Sequence, residues 1–101
     1  MDLGVPYGYK EDVRNELFTV SNSSVLVSPA RNRQEIILTN YGTSTVTLSF
    51  GKTPAVAGVG IPLYPGGVYY SSRSQGYRPP VDELYAIGSA VATNNLAVFE
   101  R

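Results

Sequence analysis

The chain has no cysteine, no histidine and no tryptophan, one methionine, and only 16% charged residues in 101 positions. Each shortage excludes something. Without cysteine there are no disulfides and no thiolate metal sites. Without histidine there is no Ser–His or Cys–His pair to activate a nucleophile. With both gone, transition-metal sites lose their usual ligands, and we expect no metal and no cofactor. Formal net charge is zero, against a nucleic-acid binder, which carries a basic excess or stripe. No apolar run nears the ~20 residues of a membrane helix, and "MDLGVPYGYKED" has neither the basic nor the apolar region of a secretion signal. The expectation is a protein that folds in the cytosol, or in something assembled there.

Catalytic motifs are missing too. No Gly-Lys-Ser/Thr occurs, and "AGVG" lacks the third glycine and the βαβ context of a dinucleotide loop. Of the acidic residues, only Glu35, Asp82 and Glu83 fall within the body away from its ends. Adjacent strand residues such as Asp82 and Glu83 would point to opposite faces, which is poor geometry for a carboxylate pair. A non-enzyme is expected. The competing enzyme reading would rest on Glu35 or Asp82.

What is present is β-strand signal. "EIILTN" (35–40) is β-branched, and "TVTLSF" (45–50) alternates with Val46, Leu48 and Phe50 on one face, the mark of a half-buried strand. The intervening "YGTS" makes "LTNYGTSTVTLSF" read as a hairpin. "ELFTVSNSSVLVS" (16–28) reads as two short strands about "SNSS", or as one bent strand. "GVYYSS" (67–72), "ELYAIGSA" (83–90) and "LAVFE" (96–100) read as further strands, and "ARNRQ" (30–34) as a polar loop. Short strands at this spacing, with no helical periodicity, predict an all-β fold: a single antiparallel β-sandwich, jelly-roll or Greek-key-like in connection.

Residues 1–15 differ from the body at 16–101. Leu3, Val5, Tyr7 and Tyr9 alternate with Asp2, Gly4, Pro6 and Gly8, which suggests an extended arm with adhesive side chains, a frayed terminus being the plainer alternative. Residues 1–16 carry a net −2 and the remainder +2, so an acidic arm would be drawn to a mildly basic neighbour. The segment "GKTPAVAGVGIPLYPGGVYY" (51–70) is rich in glycine and proline yet apolar and aromatic. Ile61 and Leu63 are expected to cap the sandwich, leaving Val56, Val59 and Tyr64 for a partner, unless the loop folds over its own core. The eight tyrosines suit protein interfaces, where they offer apolar area with a polar tip; Tyr69 or Tyr70, and Tyr85, also suit the core. Arg31, Arg33, Tyr77 and Arg78 complete the expected partner-facing loop residues.

The run "NYGTSTVTLSFGKTPAVAGVGIPLYPGGVYYSS…YRPPVDELYAIGSAVATNNLAVFE" resembles small β-sandwich virion proteins of tailed bacteriophages. The features that carry it are "FGKTPAVAGVGIPLYPGG", the strand with Tyr69 and Tyr70, "PPVDELYAIGS" and a short final hairpin, together covering residues 40–100. The resemblance implies a capsid decoration (cement) protein whose partner is the major capsid protein, located in the virion, self-associating as a homo-oligomer, with trimers at lattice three-fold positions suggested by virion geometry. The alternative within the virion is a tail or head-fibre accessory, or a glycan-binding module using Tyr64, Tyr69, Tyr70 and Tyr77.

Overall fold

A computed structural model describes residues 13–51, 53–76 and 78–101. Eight strands follow one another: β1 (Arg14–Phe18), β2 (Val25–Ser28), β3 (Glu35–Asn40), β4 (Val46–Phe50), β5 (Ile61–Leu63), β6 (Val68–Ser72), β7 (Leu84–Gly88) and β8 (Leu96–Glu100). One short 3₁₀ turn, Arg73–Gln75, follows β6. The chain is all-β, and the strands form two four-stranded antiparallel sheets ordered β1-β8-β3-β6 and β2-β7-β4-β5, an arrangement that fits a β-sandwich.

The alternation read from the sequence decides which residues enter the core. β3, β7 and β8 each bury every second side chain, as the two-residue period requires. Val27, Val46, Leu48, Leu63, Leu84 and Ala86 from one sheet meet Ile36, Leu38, Leu96 and Val98 from the other, with Val20 and with Phe18, Phe50 and Tyr69 packed around them. Each fully buried aliphatic side chain here contributes about 1.5–3 kcal/mol from removal of apolar surface from water. The Phe50 and Tyr69 rings lie 6.0 Å apart at 47°, within the favoured range for aromatic pairs. Burial pushes the Tyr69 phenol up, with the nearby Arg33 charge opposing.

The pairing departs from the expected hairpins. β3 and β4 lie in different sheets, so Tyr41–Thr45 arches between layers and joins no hairpin; β7 and β8 are separated in the same way. Among the described strands, β4 and β5 alone are both consecutive and paired. The first strand pairs with the eighth, the second with the seventh, the third with the sixth and the fourth with the fifth. Those are the ladders of one long antiparallel ribbon doubled at β4–β5, and β3–β8 and β4–β7 close the wrap. β1 starts at Arg14, so Arg14 and Asn15 belong to the sheet and not to a preceding arm.

Two buried asparagines hold the arches. Asn95 accepts from the Val20 amide (2.8 Å) and donates to the Val20 carbonyl (2.9 Å), acting as a missing strand neighbour. Asn40 donates to the Ser44 and Leu63 carbonyls and accepts from the Gly42 amide, tying the β3–β4 arch to the end of β5. Buried backbone groups left without such partners would each cost about 1–3 kcal/mol.

Candidate functional site

The two ends of the body are chemically opposite. At one end lie the start of β1, the ends of β2, β4, β6 and β8, and the starts of β3 and β7. Here Glu100 is fully buried, and three arginines converge on it. Arg33, also fully buried, donates Nε to Glu100 Oε1 at 2.8 Å. Arg14 donates Nη1 to Oε2 at 2.5 Å, and Arg31 stands 3.7 Å from the same oxygen. The Ser28 hydroxyl donates to Oε2 (2.8 Å) and accepts from Arg33 Nη2 (2.9 Å). The remaining Arg33 donors reach the Pro29, Pro80 and Asp82 carbonyls, so all five guanidinium N–H groups are used.

This cluster ties the 29–34 and 73–83 loops to the last residues of β8. Arg14 adds hydrogen bonds to Glu16 and the Val27 carbonyl, and its guanidinium lies 5.2 Å from the Phe18 ring centroid. Burial alone would raise the Glu100 carboxyl, but the hydrogen bonds from Arg33, Ser28 and Arg14 outweigh it and hold the group below its ordinary value. Nearby, the Arg101 guanidinium, 2.8 Å from Glu35, lowers that carboxyl too.

At the opposite end no described residue is charged. Its loops, residues 19–24, 41–45, 64–67 and 89–95, consist of neutral side chains, and Tyr41, Tyr64 and Val91 stand 71%, 63% and 77% exposed. The neutral surface continues along the outside of both sheets. On one, Leu17, Ala97, Thr39 and Val68 form one cross-strand row, and Asn15, Phe99, Ile37 and Tyr70 the next. A shallow groove of about 410 Å³ runs there beside Leu17, Ile37, Tyr41 and Phe99, with Glu16 the one charged residue in its described lining. Outside the other sheet, the β4–β5 loop lies across the strands. Ala55 is buried, with its amide on Ser24 Oγ at 2.8 Å, and the Gly58 amide donates to Thr47 Oγ1 at 3.2 Å. Gly60 crosses so close to β4 that a Cβ would stand 2.3 Å from the Leu48 carbonyl oxygen.

The expected site residues scatter across this frame. Val56 and Val59 flank the Ala57–Gly58 turn, closed by a 3.0 Å backbone bond, and both are exposed, as is Tyr64. Arg78 is exposed at the charged end and Arg31 is half-buried beside Glu100. Arg33, expected to face a partner, is sealed inside because its donors saturate a buried carboxylate and four further acceptors. Leu63 is in the core as expected, whereas Ile61 is partly exposed at the edge. The arm residues Leu3, Val5, Tyr7 and Tyr9, and Tyr77, lie outside the described residues. Leu17, Tyr41, Val68 and Val91 were not singled out from sequence. Their signal is the run of uncharged positions at 17–30, 36–51, 53–72 and 84–99.

Among the described residues no group of three or more carboxylates could hold a metal, and no helix is long and apolar enough to cross a membrane. Comparison of the chain with protein-family models, curated proteins and solved structures gives no match.

Proposed function

We propose that this protein is a non-catalytic structural component of a tailed-phage virion, of the decoration type, which docks through its uncharged end and outer sheet face onto assembled capsid subunits. The observation that carries the reading is the segregation of charge among the described residues: a buried ionic cluster lies at one end, and the opposite end is neutral and studded with exposed tyrosine and aliphatic side chains. Neutral polar and aromatic surface is cheap to desolvate and suits the centre of a protein interface. The pairing of first strand with last, inward to a β4–β5 tip, is the wiring of a jelly roll, an architecture that viral capsid domains and lectins share. Three of the four neutral-end loops, 41–45, 64–67 and 89–95, fall within the run at 40–100 that resembles phage virion proteins. A protein that binds the assembled lattice better than free subunits stabilises the lattice by that difference, and self-association into trimers, with residues 1–12 as a second tether, would add avidity.

The test is cosedimentation of the purified chain with assembled heads and, separately, with unassembled capsid protein. Binding to heads alone is expected, weakened by Leu17→Arg with Val68→Asp and by deletion of residues 1–12. Both substituted residues are exposed, so stability should change by no more than about 0.5 kcal/mol each. Equal occupancy of heads by the double variant would reject this docking surface.

A further inference from the structure

Beneath the β4–β5 loop, on the outer side of the second sheet, lies a cavity of about 390 Å³. Its floor is Thr45, Thr47 and Ser89, its roof the Ala57–Gly58 turn, and its wall Pro62 and Tyr64. From this arrangement we infer a binding site for a neutral saccharide, which adjoins the neutral end and shares Tyr64 with it.

Three observations converge on that ligand class. Thr47 is 5% exposed and its hydroxyl accepts from the Gly58 amide at 3.2 Å. The hydroxyl proton is then left to donate, and among the described residues no acceptor takes it. A buried hydroxyl with a spare donor calls for a partner, and it lines the cavity. The neighbouring Thr45 and Ser89 hydroxyls can each donate and accept. A sugar hydroxyl offers the same dual chemistry, whereas an anion accepts only. Beside this polar floor stands Tyr64, a residue 63% exposed. An aromatic ring next to a row of hydroxyls matches a pyranose, which presents a C–H face to one and hydroxyl groups to the other. Finally, among the described residues no charged side chain lines the cavity, so these residues offer no compensation for desolvating a phosphate or carboxylate. The volume lies within the usual range of small-molecule sites. Gly60 lets the loop pass close to β4, and the turn at Gly58, with φ of +80°, is anchored to Thr47 by the 3.2 Å bond, so the cavity opens beside that contact.

The experiment is a ¹⁵N chemical-shift titration of the full chain with the methyl glycosides of glucose, galactose and N-acetylglucosamine at tens of millimolar, with N-acetylneuraminic acid as the charged comparison. At least one neutral glycoside should give saturable shifts confined to the amides of Thr45, Thr47, Gly58, Tyr64 and Ser89. Tyr64→Ala should weaken that binding by about tenfold, as should Thr47→Val. Tyr64 is exposed, so its variant keeps the fold and remains decisive if Thr47→Val disturbs the loop. The inference is overturned by absence of saturable shifts with all three neutral sugars, by tighter binding of the acidic sugar, or by unchanged affinity in Tyr64→Ala. Head attachment is read in a separate assay with different variants, so either proposal can fail alone.

Discussion

Replacing Glu100 by glutamine tests the organising feature of the charged end. The substitution preserves shape and one carbonyl oxygen but removes the negative charge that Arg33 and Arg14 share at 2.8 and 2.5 Å. The Arg33 side chain has no exposed surface, so its charge would be left in the protein interior with only neutral acceptors. Removing one member of a buried ion pair typically destabilises by about 3–5 kcal/mol, out of a total of about 5–15 kcal/mol. At a urea slope of about 1.5 kcal/mol/M, the unfolding midpoint should fall by roughly 2–3 M. Adding Arg33→Met removes the orphaned guanidinium, so the double variant should lose less than the sum of the singles, with coupling on the order of 0.5–3 kcal/mol. The pH dependence gives an independent reading. Because Glu100 is held below its ordinary value when folded, its contribution is present above the unfolded-chain pKa of about 4.3 and is lost as pH falls through the lower folded value. The native chain should therefore lose stability in acid more steeply than Glu100→Gln; Glu35 titrates in the same direction in both and cancels. A midpoint shift under about 0.5 M in urea, or identical acid profiles, would show that the cluster contributes no net stability.

Two further variants probe the other supports. Gly60→Ala places a methyl group 2.3 Å from the Leu48 carbonyl oxygen at a φ of +139°, and should cost about 2–3 kcal/mol, read by urea denaturation; a neutral effect would mean that the loop does not cross β4 so closely. Asn95→Ala leaves the Val20 amide and carbonyl without their partners, for a loss of about 2–5 kcal/mol. Hydrogen exchange should accelerate at Val20 beyond the global change, and unaltered protection there would contradict this role.

Strand positions were legible because alternation reports burial directly. "EIILTN" and "LAVFE" match β3 and β8 to the residue. Strand pairing was not legible. Alternation says which side chains face inward but not which sheet a strand joins, and "NYGTS" has the composition of a hairpin turn while serving as an arch between layers. β5 was missed inside its glycine- and proline-rich surroundings; Pro62 is tolerated because β5 lies at a sheet edge. Arg33 shows the limit most plainly. In sequence it is one of two arginines in a polar loop, and the acceptor that buries it, Glu100, is 67 positions away. Of the candidate site, Val56, Val59 and Tyr64 were anticipated as exposed, but the surface that joins them was not.

That surface follows from how the ribbon is wound. Each uncharged run, at 17–30, 36–51, 53–72 and 84–99, carries the chain to the neutral end and back, and charge reappears near the turning points at the other end. In an antiparallel ribbon, turns on the same end recur every two strands, so charge spaced at that interval gathers at one end. Gathering has two consequences. The arginines at 14, 31 and 33 would repel one another, and a single buried carboxylate is placed where all three can reach it. Among the described residues the opposite end carries no ion, so covering those side chains displaces no strongly hydrated group. Under the proposed docking, the Glu100 cluster and the docking side chains Leu17 and Val68 share no described partner, the condition under which substitutions are expected to act additively.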